Sequence, residues 1–212
     1  MASKSEYSLK DGKTLIDFSH KVIEAYVKDE MVLDITDAPQ KLKEKRGVFV
    51  TLKIKGELRG CIGHPLPVAP LIEVVRDLSI ASATEDYRFQ PISLDELGEL
   101  QIEISILTVP EELKLKDRRD ALKHIKVGRD GLIIELDYNK GLLLPQVAVE
   151  EEWDAKQFLE HTCWKASIPE DSWLDKGAKI FTFQSIIFAE DKNGKIRMTL
   201  PKWSECSDEV TT

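Results

Sequence analysis

Long apolar runs are missing from this sequence: no stretch approaches the ~18 residues that a membrane-spanning helix needs, so no membrane role is expected. Cysteine is scarce. Cys61, Cys163 and Cys206 are the three in 212 residues, too few and too scattered for a disulfide framework. A basic surplus is missing too, since 30 Lys and Arg face 38 Asp and Glu for a net charge of −8. Nucleic-acid binding wants a basic surface, so none is expected. The opening stretch, MASKSEYSLKDGK, lacks the apolar segment of a secretory leader, which points to a cytoplasmic protein. What is present is an ordinary globular mixture, 42% hydrophobic and 32% charged, in a length that suits one domain or two small lobes.

Residues 14–31 place Leu15, Ile16, Phe18, Val22, Ile23, Tyr26, Val27 and Met31 at spacings of three and four, the pattern of an amphipathic helix. A linker with Pro39 follows, then the basic stretch Lys41, Lys43, Lys45 and Arg46, whose net setting reads as solvated linker. Gly47-Val48-Phe49-Val50-Thr51-Leu52-Lys53-Ile54 reads as a strand, turned by Lys55-Gly56 into a second strand over 57–62. The prolines at 65 and 67 forbid a central strand there, and Pro70 suits the first position of a helix over 71–81. Ser93 with Glu96 fits a capping box for a short helix ending near Gly98. Leu100, Ile102, Ile104 and Ile106 alternate with polar residues as a half-buried strand. Beyond it, the pattern predicts a short helix over 118–125, and a strand pair over 131–136 and 141–144 joined at Asn139-Lys140-Gly141. A helix over 151–165, a strand over 179–189, a turn at Asn193-Gly194 and a frayed tail from Trp203 complete the chain. Strands come in neighbouring pairs, so the expected class is α+β with mainly antiparallel pairing and flanking helices.

Leu58-Arg59-Gly60-Cys61-Ile62-Gly63 is the most unusual segment. Two glycines bracket a cysteine at a strand end, where backbone can approach a ligand closely or take positive φ. Arg59 supplies a cation, and a cation beside a thiol favours the reactive thiolate. Arg59 and Cys61 share a face provided the strand stays regular. His64 is available as a base. The plain alternative is a cysteine acting as a small buried hydrophobe. Cys61 and His64 with His161 and Cys163 have the donor types of a zinc site, but neither pair has the usual spacing. Asp86 and Arg88 flank Tyr87 in a loop, where ligand contacts concentrate, although an ion pair explains them equally well. Gln146 follows Pro145, and Lys165 ends its helix, where it complements the dipole. The carboxylates Glu150, Glu151, Glu152 and Asp154 suit a helix start.

Taken together, Gly47 to Leu52, the six residues from Leu58 to Gly63, Asp86-Tyr87-Arg88-Phe89-Gln90-Pro91, Gly141 to Ala148 and Lys165-Ala166 resemble the AMMECR-one domain family. The resemblance runs in order over about residues 10–190 and departs at Ser167, where glycine is usual. It implies a single domain over 1–212 built as two unequal lobes with a cleft between them; no cofactor is expected. It implies no established reaction, but it associates the family with Memo-type and radical-SAM proteins as partners. His64 and His161 lie outside the family's motifs. The resemblance gathers Arg59, Gly60, Cys61, Gly63, Asp86, Arg88, Gln146 and Lys165 into one expected site. There the cations bind an anionic or carbonyl-bearing small molecule, Cys61 acts as nucleophile or acid–base group, and Asp86 orients an arginine. A non-catalytic adaptor is the competing expectation.

Overall fold

The computed structural model describes residues 7–199, so the expected tail from Trp203 and Cys206 lie outside the described residues. In chain order the elements are α1 (Leu9–Asp29), β1 (Val48–Ile54), β2 (Glu57–His64), α2 (Leu71–Thr84), β3 (Leu100–Leu107), β4 (Glu111–Glu112), α3 (Ala121–His124), β5 (Gly131–Leu136), β6 (Asn139–Leu143), α4 (Pro145–Glu150), α5 (Ala155–Lys165), β7 (Lys179–Phe183), β8 (Ser185–Glu190) and β9 (Ile196–Thr199). Short 3-10 turns lie between them at Gln40–Lys43, Leu94–Glu99, Arg118–Asp120 and Ser172–Leu174. The class is α+β. Among the described residues, 7–109 with 186–199 form one compact unit and 110–185 form a second.

The first unit holds a five-stranded sheet in the order β2-β1-β3-β8-β9. Val48, Val50 and Leu52 of β1 and Ile102, Ile104 and Ile106 of β3 send alternate side chains into one core, each at most 1% exposed. Onto it α1 and α2 lay Leu15, Ile16, Ile23, Leu71 and Val75. Burying a leucine or isoleucine here contributes about 2 kcal/mol of transfer free energy. A buried polar contact between the helices is satisfied: the Ser79 hydroxyl lies 2.9 Å from that of Ser19 and 2.6 Å from the Val75 carbonyl. Helix α1 starts five residues earlier than its apolar spacing shows, because Ser8 and Asp11 form a reciprocal capping box.

The second unit holds the sheet β4-β7-β5-β6. Its separate core gathers Leu132, Ile134, Phe158, Leu159, Cys163, Trp173 and Ile180.

Five local expectations are corrected. Strand β2 runs on through His64, because it is the sheet's edge and Pro65 interrupts no ladder on its open side. The turn between β5 and β6 is Asp137-Tyr138, with Leu136 paired to Asn139 and Asp137 in the left-handed region at φ 54°. The helix expected over 151–165 starts only at Ala155, as α5, with Asp154 capping it through Gln157; the separate short helix α4 ends before it at Glu150, and Glu152 at φ 56° lies between them. The strand expected over 179–189 breaks at Gln184 into β7 and β8, which join different sheets. The basic stretch is likewise no loose linker: Leu42 is fully buried, and Glu44 takes hydrogen bonds from Lys41 and Arg46.

Candidate functional site

Cys61 stands where β2 runs along the open edge of its sheet. Edge backbone groups need partners, and side chains supply them here. The Cys61 N–H donates to Asp86 Oδ2 at 2.8 Å, and its carbonyl accepts from Arg88 Nη2 at 3.2 Å. Arg88 is itself bound by Asp86 through two hydrogen bonds, Nε to Oδ1 at 2.9 Å and Nη2 to Oδ2 at 2.7 Å. The pair thus clasps one residue of the strand as a neighbouring strand would. The Arg88 guanidinium holds the Asp86 carboxyl well below the usual carboxylate range, although Asp86 is only 7% exposed. Arg88 is raised above the ordinary arginine range, first by Asp86, with a smaller contribution from Cys61.

One residue along, the Ile62 N–H donates to the Ser82 hydroxyl at 3.0 Å, and that hydroxyl donates to the Val50 carbonyl at 2.9 Å. Helix α2 lies tight against the edge at this point. A Cβ on Gly60 would fall 2.1 Å from the Ser82 carbonyl oxygen, and one on Gly63 would fall 2.0 Å from Cδ1 of the Phe49 ring. The close approach that the two glycines permit is therefore made by the protein itself. Neither glycine has positive φ.

Arg59 does not stand beside the thiol. Leu52 pairs with Gly60 and Lys53 with Leu58, so Arg59 is the extra residue of a β-bulge and the alternation is broken. Its guanidinium turns to Glu96, with Nε to Oε1 at 2.7 Å and Nη2 to Oε2 at 3.0 Å, and to the Gln90 and Pro91 carbonyls. This holds Glu96 down to about 2, chiefly through the hydrogen bond from Arg59. His64 lies on the opposite face of β2 from Cys61 by strand alternation, and its Nδ1 meets the Leu66 carbonyl at 3.1 Å. It is not placed as a base.

The side chain that does meet the thiol is Thr51, the register partner of Cys61, with Oγ1 3.2 Å from Sγ. Thr51 drew no notice in the sequence, although a lone hydroxyl inside an apolar β-branched run is the signal that could have found it. Ser82, between Ala81 and Ala83, had a comparable signal in a run of small residues on a helix. Cys61, Ile62, Glu85, Asp86, Tyr87 and Arg88 line a hollow of about 300 Å³.

The structure thus brings Cys61, Asp86 and Arg88 together and turns Arg59 away. Gln146 and Lys165 belong to the second unit. Gln146 sits in the first turn of α4 with a buried Oε1 that has no partner among the described residues, and Lys165 is exposed at the end of α5. The zinc grouping does not assemble. Cys163 is fully buried in α5, and His161 is stacked on Trp153 at 3.7 Å and edged by Trp164 at 4.5 Å. Among the described residues no group of three or more His, Cys, Asp or Glu is arranged to hold a metal ion.

An α+β protein with two antiparallel sheets and a clasped cysteine on the edge of the larger is the class that these features define. The AMMECR1 family model matches residues 16–188, and the chain belongs to that family. Protein MJ0810 of Methanocaldococcus jannaschii is 45% identical over 185 residues, covering 86% of this chain and 92% of the relative. Protein TK0174 of Thermococcus kodakarensis is 46% identical over 193 residues, covering 87% and 94%. The crystal structure of uncharacterized protein PH0010 from Pyrococcus horikoshii superposes with a TM-score of 0.83 at 41% identity, covering 92% of this chain and all of that one. No helix among the described residues is long and apolar enough to cross a membrane.

Proposed function

We propose that this protein acts in the cytoplasm as one domain on a small carbonyl-bearing molecule held at the Cys61 hollow, with the thiol as nucleophile. The observation that carries this reading is the clasp: both backbone groups of Cys61 are fixed by Asp86 and Arg88 while its side chain remains only half-buried beside a hollow. Preorganisation of that kind is what a reacting group needs. The charge pattern favours a carbonyl over the anion expected from the sequence, because Arg88 and Arg59 are each neutralised by a carboxylate and Glu85 adds a negative charge. Arg88 Nη1 has no hydrogen-bond partner among the described residues and can donate to a carbonyl oxygen. Thiolate addition would form an S–C bond and move the carbonyl π pair onto that oxygen. Gly60 and Gly63 serve by admitting Ser82 and Phe49.

The experiment is incubation with a panel of small aldehydes, esters and thioesters, followed by mass spectrometry of the intact protein. The reading expects a covalent adduct or turnover that Cys61→Ser abolishes without loss of folding. No adduct and no turnover with any member, or activity that survives in Cys61→Ser, would overturn it. A second reading, a non-catalytic adaptor for a Memo-type or radical-SAM protein, is favoured by one feature: Tyr87, at the rim of the hollow, is 95% exposed.

A further inference from the structure

The strand register places Cys61, Thr51 and Glu103 in one row across β2, β1 and β3, on the sheet face opposite the core. Residues opposite one another on a sheet face have Cβ atoms about 5 Å apart, so neighbours in this row are within reach. Yet Glu103 does not take the Thr51 hydroxyl. Its carboxylate goes to Lys53 Nζ at 2.9 Å, leaving the hydroxyl at the sulfur, 3.2 Å away. We propose that Thr51 is a positioning residue for the thiol, donating its proton to the Cys61 thiolate, and that Lys53 keeps it free to do so by holding Glu103. This rests on the reading of Cys61 as a reactive group.

The chemistry has two states. A protonated Cys61 donates S–H to Thr51 Oγ1, and an ionised Cys61 accepts the Thr51 O–H, so the hydroxyl follows the proton by rotation alone. A hydrogen bond to a charged acceptor is stronger than one to a neutral acceptor, so the Thr51 contact is tightest when the sulfur is the attacking group. If Glu103 were released, its carboxylate would compete for that O–H and leave only an acceptor facing the sulfur. Other charged and titratable groups surround this row: Lys53 on β1 and Glu103 on β3 share its sheet face, and Glu85, Asp86, Tyr87 and Arg88 in the loop after α2 line the hollow beside Cys61. Of these, Asp86 and Arg88 are tied to the Cys61 backbone. Among the described residues Thr51 is the one whose side chain hydrogen-bonds the sulfur itself, a role that neither the glycines nor Arg59 fill.

The readout is the pH-rate profile of Cys61 alkylation by iodoacetamide, resolved by peptide mass spectrometry so that Cys163 and Cys206 are followed separately. Thr51→Val preserves shape and strand preference and is expected to slow Cys61 alkylation at pH 7 about tenfold, moving the profile upward while the high-pH plateau stays put. Thr51→Ser keeps the hydroxyl and is expected to restore the wild-type profile. Lys53→Met is expected to shift the profile in the same direction as Thr51→Val by a smaller factor. A Thr51→Val profile that superposes on the wild type while Cys61 is reactive overturns this proposal alone, as does a Thr51→Ser profile that moves as far as that of Thr51→Val. A wild-type Cys61 that resists alkylation in the native protein overturns the reading beneath it, and this one with it.

Discussion

The two cysteines within the described residues show how setting, and not residue type, decides what a thiol can do. Cys163 lies on the buried face of α5 with Phe158 and Leu159 and is 0% exposed. Burial pushes its thiol up to about 11, against a smaller lowering by a backbone hydrogen bond at Trp173. It fills space as a small hydrophobe does. Cys61 lies in the other unit on an edge strand, half-buried, with its backbone clasped and a hydroxyl at its sulfur. A helix buries one stripe as a block, whereas an edge strand leaves its outer groups needing partners, and those partners make a site.

The largest expected effect that would break this contrast comes from Arg88→Ala. Removing the guanidinium leaves the Asp86 side chain, 4% exposed, as an uncompensated buried carboxylate. We expect a loss of about 3 kcal/mol in chemical denaturation at pH 7. A loss under about 0.5 kcal/mol, the range of an idle surface pair, would show that the clasp does not hold the edge. Glu96→Gln comes next, at about 2 kcal/mol at pH 7, because Arg59 then loses its charge partner. The sign follows from a folded-state value lowered to about 2 from the ordinary 4.5. That contribution is complete above the ordinary value and drains away as pH falls towards the lowered one. Wild type and variant are therefore expected to converge in stability near pH 2, and a constant gap down to that pH would contradict the assignment. The smallest pair sharpens the comparison directly. Cys163→Ser buries a hydroxyl in an apolar core and is expected to cost about 1.5 kcal/mol, whereas Cys61→Ser is expected to cost a few tenths. Equal costs would mean that Cys61 is a packing residue after all.

Much of the first unit was legible because its signals are local. The β1–β2 hairpin, the Ser93–Glu96 capping box and the alternation of β3 each follow from spacing over a few residues. The break at Gln184 was not legible. Residues 179–189 form one continuous β-favourable run, and only the pairing of β7 and β8 into separate sheets divides it. The helix at 151–165 was misplaced because its run of carboxylates resembles a helix start, while Asp154 with Gln157 is the cap that operates. At the site, the oddity of the segment around Cys61 was visible, but the bulge that turns Arg59 away depends on how Leu58 pairs with Lys53, which no spacing within β2 reveals. The reach of Asp86 and Arg88 back to Cys61 is a contact across more than twenty residues, and periodicity carries no information about it.

The most direct measurement of the central claim is the relative rate of iodoacetamide labelling at Cys61 and Cys163 in the folded protein at pH 8, followed peptide by peptide. A thiol held up to about 11 is about one part in a thousand ionised at that pH, and its burial slows access further. The account predicts that Cys61 labels at least about a hundredfold faster than Cys163 and reaches completion while the protein remains native. Labelling of both cysteines at one common rate, set by unfolding, would contradict it.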